Sequence, residues 1–148
     1  MKTEILLPLA FLFLTISACG IYGVRMKTTP ESIKSNNLEI TISKVKTGAY
    51  NTNYYIYAKI KNNGKEELTF DSGDLELTNE KSGLTYYSIS KDKSSVTVPA
   101  TLNNLITRIT LKPQRATEGV IWISTPNFKA KGKKLKLIYG DQSFSVHR

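Results

Sequence analysis

The chain has 148 residues, with 21 lysines and arginines against 12 acidic residues, a formal net charge of +9, and a single cysteine. That length suffices for one domain with a real hydrophobic core, and one cysteine excludes any disulfide within the chain, so packing alone must hold the fold. The positive balance suits an anionic surface or an acidic partner, and it serves solubility as much as any ligand.

The opening MKTEILLPLAFLFLTISAC sets Lys2 ahead of an apolar run from Ile5 to Ile16, followed by the small residues Ser17 and Ala18. Positive start, apolar stretch and small-residue cleavage site, in that order, make a secretory signal, here residues 1–18. As a helix the apolar run would reach only about 18 Å at ~1.5 Å per residue, short of the ~30 Å hydrocarbon core of a bilayer. Ile16-Ser17-Ala18-Cys19 resembles the lipobox of bacterial lipoproteins, and the resemblance implies that Cys19 is alkylated by diacylglycerol and heads the mature chain. A thiolate is the nucleophile such alkylation needs, and two or more acyl chains hold a membrane stably where one is marginal. Loss of residues 1–18 removes one lysine and one glutamate, so the remainder keeps its +9 charge. The expected address is the bacterial cell envelope, with the domain facing outside the cytoplasm, and export argues against a nucleic-acid partner.

Gly20 to Asn36, GIYGVRMKTTPESIKSNN with the next asparagine, shows no sustained period and carries Gly, Pro, Ser and Asn. Residues 19–36 therefore read as a flexible tether, leaving 37–148 for one domain. LEITISKVKT then alternates Leu38, Ile40 and Ile42 against Glu39, Thr41 and Ser43, and NYYIYAKIKN opposes Ile56, Ala58 and Ile60 to Tyr55, Tyr57, Lys59 and Lys61. A period of two is the mark of half-buried strands. TGAYNTN between them suits a hairpin, and in NNGKEE the pair Asn63-Gly64 readily supplies positive φ. ELTF, LELTN, LTYYSIS, LITRITL, EGVIWIS, KLKLIYG and SFSVHR follow, with Gly140-Asp141 as a tight turn between the last two. Eight or nine short strands with turn chemistry between them predict a sandwich or barrel. KDKSSVTVPATLNN, Lys91 to Asn104, is the one long connection, and loops of this length are commonly functional or disordered.

YYIYAKIKNNGKEELTF is similar to the opening hairpin of the telokin-like, immunoglobulin-fold domain found in many bacterial lipoproteins and secreted antigens. There a strand ending in Asn precedes a Gly-Lys turn, the place of Asn62, Asn63, Gly64 and Lys65 here. LELTNEKSGLTY resembles the next hairpin through Gly83 and Tyr86, and LKPQRATEGVIWISTP resembles a later signature through Leu111, Pro113, Gly119, Trp122 and Pro126. LKLIYGDQSFSV resembles the terminal hairpin. The likeness covers residues 37–147 and departs at Gln114, where the family usually has glycine. It implies an all-β, immunoglobulin-like β-sandwich and no general function, so it transfers no site residues. An antibody-type disulfide is excluded, because Cys…Trp…Cys cannot be made from one cysteine.

Candidate chemistry is sparse. His147, the only histidine, is penultimate, a poor place for the buried, carboxylate-oriented base of a triad. Zinc prefers Cys and His ligands and finds one of each. Asp71, Asp74 and Glu76 in DSGDLE lack the ligand spacing of a calcium loop, and Asp71-Ser72-Gly73 reads as a turn. No catalytic set, metal site or cofactor is expected. Two surfaces remain. Tyr55, Tyr57, Lys59 and Lys61 share a strand face that could stack on sugar rings or grip an anionic polymer, or simply pair across strands. Lys129, Lys131, Lys133, Lys134 and Lys136 in FKAKGKKLKL could meet anionic headgroups or guard a sheet edge. The expected function is non-catalytic binding of an envelope protein or an anionic wall or lipid component by a membrane-anchored lipoprotein. Alternatives are an envelope enzyme or enzyme inhibitor acting through the 91–104 loop, and a five-stranded oligosaccharide-binding barrel, which would need Tyr55 and Tyr57 exposed together.

Overall fold

The computed structural model describes residues 24–48, 53–88, 102–125 and 134–147. Eleven strands run β1 (Arg25–Thr29), β2 (Ser32–Ser35), β3 (Leu38–Thr47), β4 (Asn53–Asn62), β5 (Leu68–Asp71), β6 (Leu75–Asn79), β7 (Thr85–Tyr87), β8 (Arg108–Leu111), β9 (Ala116–Ser124), β10 (Leu135–Tyr139) and β11 (Gln142–His147). Among the described residues the helical element is a 3-10 turn over Ser72–Asp74, capped by Asp71 Oδ1, which accepts from the Gly73 N–H at 2.8 Å. DSGD is thus a capped turn between strands.

The strands form a β-sandwich. One layer is β3–β4–β9 with β2 on the free side of β3, and the other is β11–β10–β6–β7, every pairing antiparallel. Strand β1 belongs to both: Arg25 and Met26 pair with Lys46 and Val45 of β3, then Lys27, Thr28 and Thr29 pair with β11. The β5–β8 ribbon closes one end. Ile40, Ile42, Val45, Ile56, Ile60, Ile121 and Ile123 from the first layer meet Leu75, Leu77, Leu135, Leu137, Phe144 and Val146 from the second, all buried in one cluster. Each such side chain contributes roughly 1.5–3 kcal/mol on burial, which is how the fold dispenses with disulfides.

Three expectations need correction. The tether does not extend to Asn36, because Arg25–Thr29 and Ser32–Ser35 are strands and Ile33 is core. With isolated apolar residues among polar ones, their sequence carries no period, and pairing with β3 and β11 decides their conformation. Second, NNGKEE is not a hairpin, since β4 pairs with β3 and β9 while β5 pairs with β8. It is a corner between layers, and neither Asn63 nor Gly64 has positive φ. Glycine is needed at 64 for space, as a Cβ would stand 2.9 Å from the Asn37 side chain. Third, positive φ falls on Gln114 (59°), which explains glycine at that place in the resembled family. Gln114 offsets its strain by donating Nε2 to the carbonyls of Asn63 and Gly64, at 2.8 and 3.1 Å.

Buried Asn62 pins the same corner. Its Nδ2 donates to the carbonyls of Glu66 (2.7 Å) and Leu111 (3.0 Å), and its Oδ1 accepts from the Gly64 N–H at 2.8 Å. The expected hairpins β6–β7 and β10–β11 are present, with Gly83 and Gly140 at φ 69° and 60°.

Candidate functional site

The outer surface of β3–β4–β9 gathers most of the described candidate residues, and a β-bulge decides which ones. Leu38, Ile40 and Ile42 point inward, so strict alternation would send Lys44 and Lys46 into the core and Val45 to solvent. Ser43 is an extra residue: Ile42 pairs with Ala58 and Lys44 with the adjacent Tyr57. The shift keeps Val45 in the core and turns Lys44 and Lys46 outward. Bulges commonly re-aim side chains in this way beside functional sites.

The register then builds rows across the face. Lys46 lies opposite Tyr55 and Trp122, Lys44 opposite Tyr57 and Val120, and Thr41 opposite Lys59 and Glu118. Tyr55 and Trp122 stack with centroids 6.4 Å apart and planes 21° from parallel, and Trp122 Nε1 donates to Asn53 Oδ1 at 3.0 Å. Leu102 and Leu105 pack over this pair together with Tyr57 and Val120. Tyr55 is therefore buried at 7% exposure while Tyr57 is half-buried. The two rings are not exposed together, which removes the oligosaccharide-binding barrel and takes Tyr55 off the ligand surface. Burial raises the Tyr55 hydroxyl above its ordinary pKa, with a smaller contribution from Tyr57.

The covering segment can lie so close because of Gly119. Ile106 N–H donates to the Val120 carbonyl at 2.8 Å and Val120 N–H to that of Asn104 at 2.9 Å. A Cβ at 119 would sit 2.3 Å from the Asn104 carbonyl oxygen and 2.7 Å from Ile106 Cγ1. What the sequence shows as a glycine before an apolar strand is a place of backbone contact.

Among the described residues, two clefts adjoin the bulge. One of about 440 Å³ is lined by Thr41, Ser43, Tyr57, Lys59, Asn104 and Glu118, among others. The second, about 370 Å³, lies where β1 leaves β3 for β11, with Arg25, Lys27, Glu31, Ser43 and His147 on its walls. The bulge residue Ser43 lines both. Lys59 Nζ stands 3.4 Å from Glu118 Oε1 with both side chains exposed, a geometry worth ~0–1 kcal/mol. Lys44 and Lys46 engage Tyr57 instead, their Nζ atoms 4.1 and 5.7 Å from its ring centroid. Further along, Glu39 is held below the usual carboxylate range chiefly by the Asn63 amide, against some desolvation, with help from Lys34, Ser32 and Lys61.

These groups offer cations, amides and hydroxyls. Among the described residues no three His, Cys, Asp or Glu side chains gather as a metal-binding group would, and His147 is an exposed strand-end residue whose backbone lies opposite Lys27. Lys134, exposed ahead of β10, belongs to the other layer and not to this face. Cys19, Lys129, Lys131, Lys133 and residues 91–101 of the long connection lie outside the described residues. Sequence reasoning flagged Asn104 only as the end of the 91–104 loop and missed Arg25, Lys44 and Lys46. For Lys44 and Lys46 the available signal was the spacing of three between Ile42 and Val45, where continued alternation requires two.

Fold and surface together define a small all-β sandwich domain with a cationic, hydroxyl-lined outer face. No family model matches the chain, and no curated protein matches it. Solved bacterial structures do share its fold. The yjhA protein of Bacillus subtilis is 16% identical at a TM-score of 0.50, over 74% of this chain and 77% of that one. A functionally unknown protein from Listeria monocytogenes is 12% identical at 0.53, over 86% and 87%. The candidate lipoprotein ycdA of B. subtilis is 19% identical at 0.55, over 79% of this chain but only 38% of its own length.

Proposed function

We propose that this chain is a membrane-anchored lipoprotein of the bacterial envelope, acylated at Cys19, whose β-sandwich, akin to the telokin-like immunoglobulin-fold domains, is a non-catalytic binding module. The outer face of β3–β4–β9 is its binding surface, and its partner is an envelope component that meets cations and hydrogen-bonding side chains. The observation that carries this reading is the Ser43 bulge, which turns two lysines out of the sheet beside Tyr57 and lines two clefts. The lipobox-like Ile16-Ser17-Ala18-Cys19 supports the anchor. A named candidate lipoprotein among the structures of like fold is in keeping with it.

The anchor is tested by metabolic labelling with a fatty acid in cells expressing the wild type and Cys19→Ala. The wild type takes up label and sediments with membranes, and Cys19→Ala does neither. Equal labelling of the two overturns the anchor.

A further inference from the structure

We propose that the outer face binds a phosphate-bearing, polyhydroxylated linear polymer, with Arg25, Lys44 and Lys46 as the phosphate-binding cluster; this rests on the binding-module reading above. Arg25 and Lys46 are directly opposed across β1 and β3, and like charges in that position destabilise a sheet. Neither they nor Lys44 forms an ion pair among the described residues. Two of the three cations are placed by the bulge, and among the described residues the acidic wall residue of the adjoining cleft, Glu31, is not ion-paired with any of them. An anion supplied from outside would relieve their repulsion.

The flanking clefts indicate what kind of anion. The larger presents the Thr41 and Ser43 hydroxyls and the Asn103 and Asn104 amides, with the Lys59–Glu118 pair at its margin. The Ser43 hydroxyl donates to the Tyr57 carbonyl at 3.3 Å and the Thr41 hydroxyl to Ser32 Oγ at 3.2 Å, so both oxygens can still accept from polyol or sugar hydroxyls, and the asparagine amides can donate as well as accept. Tyr57, already carrying Lys44 on its ring, forms the floor between cluster and cleft. Ser43 lines both clefts, Arg25 of the cluster lines the smaller one, and Lys44 adjoins Ser43, so an extended chain crossing at the bulge comes alongside the cluster. An acylated bilayer headgroup shares the phosphate but has no chain to continue into both clefts.

The test is titration calorimetry on the full chain in zwitterionic detergent, with poly(glycerol phosphate) as probe, neutral dextran as control, and phosphatidylglycerol vesicles as the other phosphate source. The wild type binds the polymer and not dextran, with an affinity that falls as salt rises. Lys44→Gln/Lys46→Gln weakens binding about ten-fold or more and flattens the salt dependence, and Lys44→Arg/Lys46→Arg restores it. Lys112→Gln/Arg115→Gln, which removes two exposed cations elsewhere, leaves affinity within about two-fold. Matching thermal melts of all variants separate binding from folding. Equal weakening by the two glutamine doubles overturns the site. Absence of polymer binding, or binding to phosphatidylglycerol vesicles alone, overturns the ligand. Because detergent replaces the membrane, these outcomes are independent of whether Cys19 carries lipid.

Discussion

Asn62 and Gln114 fix the corner between layers through side-chain bonds to carbonyls, and each makes a measurable prediction. Asn62→Ala removes two buried hydrogen bonds and one part-buried one and strands their partners, so it should cost roughly 2–4 kcal/mol in urea unfolding. Gln114→Ala keeps the strained φ and loses both amide bonds, costing about 1–2 kcal/mol, whereas Gln114→Gly exchanges the bonds for relief of strain and should fall within ~0.5 kcal/mol of wild type. A larger loss for glycine than for alanine would contradict this account. Tyr54 gives a pH signature. Burial, with the nearby Tyr86 phenol, pushes its hydroxyl from 10.0 to about 12. The folded protein keeps a proton that the unfolded chain releases from about pH 10. The contribution to stability is whole below pH 10 and is lost as pH rises towards 12. Tyr139 is raised in the same direction, by burial first. Denaturant midpoints should therefore fall through this window, and less steeply in Tyr54→Phe.

At the scale of elements, what the sequence shows well is whatever is periodic. β3, β4, β6, β9, β10 and β11 stand where alternating or apolar runs place them, since each must bury one face against the opposite layer. β1 and β2 escape notice because their partners, not their own pattern, make them strands. The bulge escapes for the opposite reason, as alternation before and after it is regular and only the phase changes at Ser43. The strap of residues 104–106 depends on contact with Gly119, a relation between distant segments that no local pattern records. Gly119→Ala should cost roughly 1–3 kcal/mol by overpacking and expose the Tyr55–Trp122 stack. A red shift of Trp122 emission in the folded variant checks this, and an unchanged spectrum with unchanged stability would refute it. Trp122, the only tryptophan, makes the readout unambiguous.

For the whole molecule, β1 is the strand that, among the described residues, pairs with both layers. A chain beginning at Ile21 should fold, and one beginning at Glu31 should lose the cooperative transition, because it lacks the strand that pairs with both β3 and β11. A cooperative melt for the shorter chain would return β1 to the status of a tether. The arrangement also bears on how the molecule carries tension. If Cys19 is acylated and the outer face holds a partner, as proposed, a pull on that partner runs through β1 along the strand axis. Its hydrogen bonds to β3 and to β11 are then strained sideways together, where a strand peeled from an end would lose them singly. Rupture would need both seams to slip at once, so a domain of modest thermodynamic stability could still resist being dragged open by what it grips.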